Sequence, residues 1–95
     1  MIKDFADRGT KDFWDTGKSK GMPPANLRKV AKRKLAMLNS AVKVEDLRIP
    51  PGNRLEESHD DREGQHSIRI NDQFRVCFVF RDGDAHDVEI TDYHK

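Results

Sequence analysis

Between Gln65 and His94 the chain reads QHSIRINDQFRVCFVFRDGDAHDVEITDYH, and no other stretch restricts the possible folds so tightly. Apolar residues alternate with polar ones in successive runs: Ile68 and Ile70, then Phe74, Val76, Phe78 and Phe80, then Val88 and Ile90. A period of two, carried by β-branched and aromatic side chains, predicts half-buried antiparallel strands. Asn71-Asp72-Gln73 and Asp82-Gly83-Asp84 separate the runs, and Asp-Gly is a strong hairpin signal. Parity then predicts register, because a slip by one residue sends every side chain to the other face. Three-residue loops keep the apolar residues of neighbouring strands together. They pair Ile70 with Phe74 and Ile68 with Val76, then Phe80 with His86, Phe78 with Val88 and Val76 with Ile90. The opposite face carries Ser67 against Cys77, Arg69 against Arg75 and Arg75 against Thr91, with Tyr93 diagonal to Arg75. Facing arginines repel. A solvated sheet tolerates that cheaply, whereas a sheet that binds anions would select for it.

A chain of 95 residues makes one domain, and with 35% hydrophobic against 37% charged residues its core is small. The net charge of +1 conceals a pattern. Lysine and arginine concentrate in 18–34, aspartate and glutamate in 45–63 and again in 82–92. Near-neutrality argues against a dedicated duplex-DNA binder. The single cysteine, Cys77, sits mid-strand and forms no internal disulfide, which fits a reducing compartment. With no signal peptide, spanning apolar run or lipidation motif, the expected location is the cytoplasm, with no membrane partner.

Upstream of the alternating stretch, Ile2–Phe5 reads as a first strand. Asp7 can cap a helix that runs to Thr16 and stops at Gly17. Trp14 on that helix is expected in the core or facing a partner. Pro23-Pro24 opens a longer helix reaching about Ala41. Leu27, Val30, Ala31, Leu35, Met37, Leu38, Ala41 and Val42 fall within an arc of about 160°. Arg28, Lys29, Lys32 and Arg33 lie opposite, a face that is more often solvated than a nucleic-acid footprint. Lys34 projects from the middle of the apolar arc, either snorkelling at the core's rim or directed towards a pocket as a phosphate ligand. Val44–Leu47 adds a short helical turn and Ile49-Pro50-Pro51-Gly52 stops it. Residues 53–56 are expected to enter the sheet as a strand, and 57–64 to form a polar hairpin loop.

The four histidines lack the spacing of a zinc site, and Asp60-Asp61 lacks that of a calcium loop. Neither metal nor cofactor is expected. His66 and His86 share parity with the core-facing residues and are expected half-buried at the sheet edge. Cys77 reads as a packing residue rather than a nucleophile. What remains is Arg69, Arg75, Asp92, Tyr93 and His94 at one end of the sheet, with His59 and Arg62 in a loop able to reach it. That inventory suits phosphodiester cleavage. An RNA 2′-hydroxyl must lose a proton, the leaving 5′-oxygen must gain one, and histidine titrates near neutrality. Arginines supply fixed donors for the charge that develops on phosphate.

These residues also carry a resemblance. Asn53-Arg54-Leu55-Glu56, Asp61-Arg62, Gly64-Gln65, Ser67 through Gln73, Arg75, Cys77-Phe78, Val88-Glu89-Ile90 and Asp92-Tyr93-His94 resemble the HigB toxins of the RelE/ParE superfamily, nearest the GraT-like branch. Met1-Ile2-Lys3 with Phe5, and Arg33 through Leu38, are similar too, so the likeness covers nearly the whole chain. It implies an α+β fold, with two amino-terminal helices packed on a curved antiparallel sheet. It also implies a ribosome-dependent endoribonuclease that enters the 30S A site and cuts mRNA without metal. The implied partner is a HigA-like helix-turn-helix antitoxin, with operator DNA reached only through the antitoxin complex. Matched position by position, Arg75 corresponds to the phosphate-contacting arginine, Gln73 to a polar neighbour of it, and Asp92, Tyr93 and His94 to carboxy-terminal active-site residues.

The chain departs from the family pattern at several places. His59-Asp60 stands where many relatives carry Lys-Gly, Glu56 stands where one relative has an active-site histidine, Phe74 replaces a usual tryptophan, and Lys95 follows the usual terminal histidine. The first two leave the site less positive, which predicts weak or context-limited cleavage. Two other functions fit the same fold: a ParE-like poison of DNA gyrase, and a non-catalytic module binding antitoxin and operator. The Asp92-Tyr93-His94 ending favours the nuclease.

Overall fold

The computed structural model describes residues 1–58 and 64–92. Helix α1 spans Arg8–Thr16. Asp7 caps it by accepting the Thr10 N–H at 3.4 Å, and Gly17 ends it in the left-handed region at φ 78°, as the sequence predicts. Helix α2, Arg28–Ser40, is preceded by a 3₁₀ turn at Ala25–Leu27, so the prolines sit before that turn rather than in the helix. It stops one residue short of Ala41 and leaves Val42, expected in the apolar arc, 70% exposed. Further 3₁₀ turns cover Val44–Arg48 and Pro51–Asn53. The peptide bonds Met22-Pro23 and Ile49-Pro50 are cis.

Four antiparallel strands follow in the order β1-β2-β3-β4: β1 Glu56–Glu57, β2 Gln65–Arg69, β3 Phe74–Arg81 and β4 Asp84–Asp92. The expected strand over 53–56 is a correction. Asn53 belongs to the preceding 3₁₀ turn and Arg54 is left-handed at φ 45°, so pairing starts only at Glu56.

The β2–β3 register is as parity predicts, with Ser67 opposite Cys77, Ile68 opposite Val76 and Arg69 opposite Arg75. Asn71 fixes the three-residue loop by accepting the Gln73 and Phe74 N–H groups at 2.9 and 2.7 Å. The β3–β4 hairpin differs. Asp82 and Gly83 both have positive φ, 53° and 80°, and they join the strands as a two-residue turn that pairs Arg81 with Asp84 and Phe80 with Ala85. The register shifts beyond Val79–His86: Phe78 of β3 faces both Asp87 and Val88 before Cys77 meets Glu89. The extra residue is Asp87, left-handed at φ 52°. Val76 therefore still pairs with Ile90 and Arg75 with Thr91. The expected Phe80–His86 pair is replaced by Phe80–Ala85, and Phe78 meets Val88 only within the bulge. His86 opposes Val79 instead of joining the core face, and it lies 3.2 Å from the Asp4 carboxylate. His66 does share the core face, stacked 6.1 Å from Phe78.

The expected first strand at Ile2–Phe5 pairs with β4 in parallel, through isolated bridges Ile2–Ala85 and Phe5–Val88. The bulge explains the interruption. At Asp87 the backbone N–H is taken by the Asp4 side chain at 2.6 Å instead of a strand carbonyl. Helix α1 covers the next part of this edge, where the buried Thr10 hydroxyl accepts the Ile90 N–H at 3.1 Å.

Phe13, Ala31, Leu35, Leu38 and Leu47 pack on Ile68, Val76, Phe78, Val88 and Ile90 to form the core. Two cations of the basic face tie α2 to α1 and to the loop that follows it. Lys32 donates to the Trp14 carbonyl and lies 4.6 Å from its ring centre, and Arg28 donates to Ser19 Oγ at 2.9 Å. Trp14 is thus half-buried between core and α2. Among the described residues, no helix is long and apolar enough to cross a membrane.

Candidate active site

The face of the sheet turned from the helices holds the cationic groups. Strand pairing sets Arg69 of β2 directly across from Arg75 of β3, and each has a carboxylate beside it. Arg69 is bonded to Asp72 in the adjoining loop. The guanidinium draws the Asp72 carboxyl below its ordinary pKa. Arg75 Nη2 lies 3.7 Å from Glu56 Oε1 across β2.

Arg75 is 8% exposed, unusual for an arginine, and its donors are engaged on two sides. Nε donates to Ser67 Oγ at 2.8 Å, and Nη2 donates to the Arg54 carbonyl at 2.5 Å and to the Ser67 carbonyl at 3.3 Å. Such a guanidinium is aimed before any ligand arrives, which matters for stabilising charge that appears only during reaction. Arg54, Glu56, Arg69, Asn71, Asp72 and Arg75 line one open cleft of about 430 Å³.

Gln73 Nε2 donates to Asp92 Oδ2 at 3.0 Å, bringing two expected site residues together at the end of the sheet, where Asp92 pairs with Phe74 beside Arg75–Thr91. Lys34 is not among the cleft's lining residues. It is 7% exposed within α2's packed face, and its ammonium donates to Asn53 Oδ1 at 2.5 Å. Burial chiefly, with Arg33 and Arg69 nearby, lowers its pKa. His59, Arg62, Tyr93 and His94 lie outside the described residues. Cys77 is buried, with Sγ 3.3 Å from Thr91 Oγ1, consistent with packing.

Sequence reasoning missed the contributions of Asn53, Arg54 and Ser67, and it read Glu56 only as the replacement of a relative's histidine, not as a neighbour of Arg75. For Ser67 the signal was present, since parity already put it on Arg75's face. For Arg54 it was not, because its role depends on a left-handed backbone that no periodicity announces.

A family model described as the RelE-like toxin HigB of type II toxin–antitoxin systems matches residues 3–94. Toxin HigB-1 of Vibrio cholerae serotype O1 is 38% identical over 85 residues, covering 90% of each chain. Endoribonuclease HigB of Proteus vulgaris is 31% identical over 94 residues, covering 99% of this chain and all of that one. The crystal structure of YafQ from E. coli strain BL21(DE3) superposes with a TM-score of 0.58 over 98% of this chain and 94% of that one; at 9% identity this likeness speaks for the fold. With a small α+β domain, an arginine-lined cleft at the strand ends and a family match over nearly its whole length, the chain belongs to the HigB family of RelE-like toxins of type II toxin–antitoxin systems.

Proposed function

We propose that this toxin is an mRNA endoribonuclease acting on the translating ribosome, and that the Arg54–Arg69–Arg75 cleft holds the scissile phosphate. The observation that carries the reading is Arg75, buried yet lining the cleft, with its guanidinium anchored by Ser67 and the Arg54 carbonyl. The name of the Proteus vulgaris relative supports the activity.

In the proposed reaction the RNA 2′-hydroxyl attacks the adjacent phosphorus and the bond to the 5′-oxygen breaks, leaving a cyclic phosphate and a 5′-hydroxyl. Arg75 steadies the pentacoordinate phosphate, with Arg69 and Arg62 holding the flanking backbone. His94, Tyr93 and His59 share the proton transfers, and Asp92, bonded to Gln73, assists them as the neighbouring carboxylate. No metal takes part. The cationic groups of the cleft are guanidiniums, which cannot ligate a cation, and its carboxylates Asp72 and Glu56 face Arg69 and Arg75.

Membership of a type II system implies an antitoxin partner. We assign a HigA-like helix-turn-helix protein to that part, the 30S A site as the place where mRNA is met, operator DNA as a contact made through the antitoxin complex, and the cytoplasm as the location. The test is to translate a reporter mRNA in vitro with the purified chain and map new 5′ ends. Discrete cuts that vanish in Arg75→Ala and His94→Ala are expected. An intact message, with gyrase-dependent DNA breaks instead, would overturn the reading.

A further inference from the structure

We infer that Asn53, gripped by Lys34, is a positioning residue that acts on RNA through Arg75; the inference rests on the nuclease reading above. Lys34 stands among the packed side chains Ala31, Leu35 and Leu38 of α2, where an ammonium group is costly to bury without a partner. Its partner is the side-chain oxygen of Asn53, itself fully buried. The Asn53 amide nitrogen donates to the carbonyls of Leu47 at 3.1 Å and Ile49 at 3.4 Å, and its backbone N–H donates to the Pro50 carbonyl at 2.9 Å. The Asn53 side-chain amide and backbone N–H are therefore held, from α2 on one side and from the 44–50 segment on the other.

The next residue is Arg54, left-handed at φ 45°, ψ 57°. A residue with a side chain occupies that region only where its surroundings dictate it. Here the dictating neighbour is Asn53, with the Arg54 N–H bonded to the Pro51 carbonyl at 3.0 Å. The left-handed turn has two results at once: the Arg54 carbonyl accepts from Arg75 Nη2, and the Arg54 side chain joins the cleft. Ser67 holds Arg75 from the strand side and the Arg54 carbonyl from the other. Without the second hold the guanidinium could pivot about its bond to Ser67, and a misaimed donor loses much of its effect on a transition state. Lys34 thus serves the phosphate site at second hand, through an amide and a peptide carbonyl, without touching RNA.

The experiment compares Lys34→Met and Asn53→Ala, each made alone and in an Arg75→Ala background, by single-turnover cleavage of ribosome-bound mRNA. Solvent exchange of the Arg75 Nη–H protons, which carry the bond to the Arg54 carbonyl, is followed by NMR in the two variants that keep Arg75. Lys34→Met keeps the side chain's volume and removes the donor, so it answers even if Asn53→Ala does not fold. Expected are a loss in kcat of about tenfold with KM nearly unchanged, Nη–H exchange about tenfold faster, and no further loss where Arg75 is already absent. Additive losses in the Arg75→Ala background, or an unchanged exchange rate, would overturn the inference. Should the unaltered toxin cut no RNA, the nuclease reading fails, and the exchange rate alone decides whether Asn53 and Lys34 position Arg75.

Discussion

Arg75 was legible as a candidate site residue because strand parity put it beside Arg69 and away from the core, but its orientation depends on residues that parity does not reach. Ser67 Oγ is one of them. Ser67→Ala should leave the fold intact and lower single-turnover cleavage by about tenfold, measured against the unaltered toxin. Lys34 carries a prediction of the opposite kind, on stability. Its pKa is lowered in the folded chain, so between that value and the ordinary lysine value the unfolded state binds more protons. Stability therefore rises with pH across that alkaline window. Denaturant titrations through the alkaline range up to the ordinary lysine value of 10.5 should show the rise in the native chain and a flatter curve in Lys34→Met, while equal slopes would contradict it. Sequence periodicity offered Lys34 as either a rim residue or a pocket ligand. It could not anticipate Asn53, whose buried amide depends on an irregular segment between two short 3₁₀ turns.

The strands and helices were more readable than the turns that join them. A two-residue turn followed by one bulged residue contributes the same offset as a three-residue loop. The pairs beyond the bulge, Val76–Ile90 and Arg75–Thr91, are therefore the expected ones, while those between turn and bulge are shifted. Nothing in the alternation separates these cases, since both keep the apolar residues on one face. The bulge is also where the amino terminus attaches. The Asp87 N–H, with His86 beside it, holds the Asp4 carboxyl below its ordinary pKa. A carboxyl lowered in the folded state stabilises it above the unfolded value, and that contribution is lost as pH falls through the folded one. Asp4→Asn should remove part of the loss of thermal stability seen on acidification below about pH 4. Along the same edge, Thr10→Val would leave the buried Ile90 N–H without its acceptor, at a cost of about 1–3 kcal/mol by chemical denaturation.

For the whole molecule, a lean core and a crowded ionic surface follow from composition, and the fold resolves them into two faces. One face of the sheet carries the helices and the apolar residues; the other carries Ser67, Arg69, Arg75 and Thr91. The separation explains how so small a domain keeps several guanidinium groups close together. Their mutual repulsion is offset by Asp72 and Glu56 and by carbonyls fixed in the backbone. The most direct test of that arrangement is the single-turnover rate of cleavage of ribosome-bound mRNA by Arg75→Ala against the unaltered toxin. A fall of about 10²–10³ with the ribosome still bound is predicted. Rates within about threefold of each other would mean that Arg75 stabilises the transition state by less than about 1 kcal/mol, and the cleft would not be the catalytic centre.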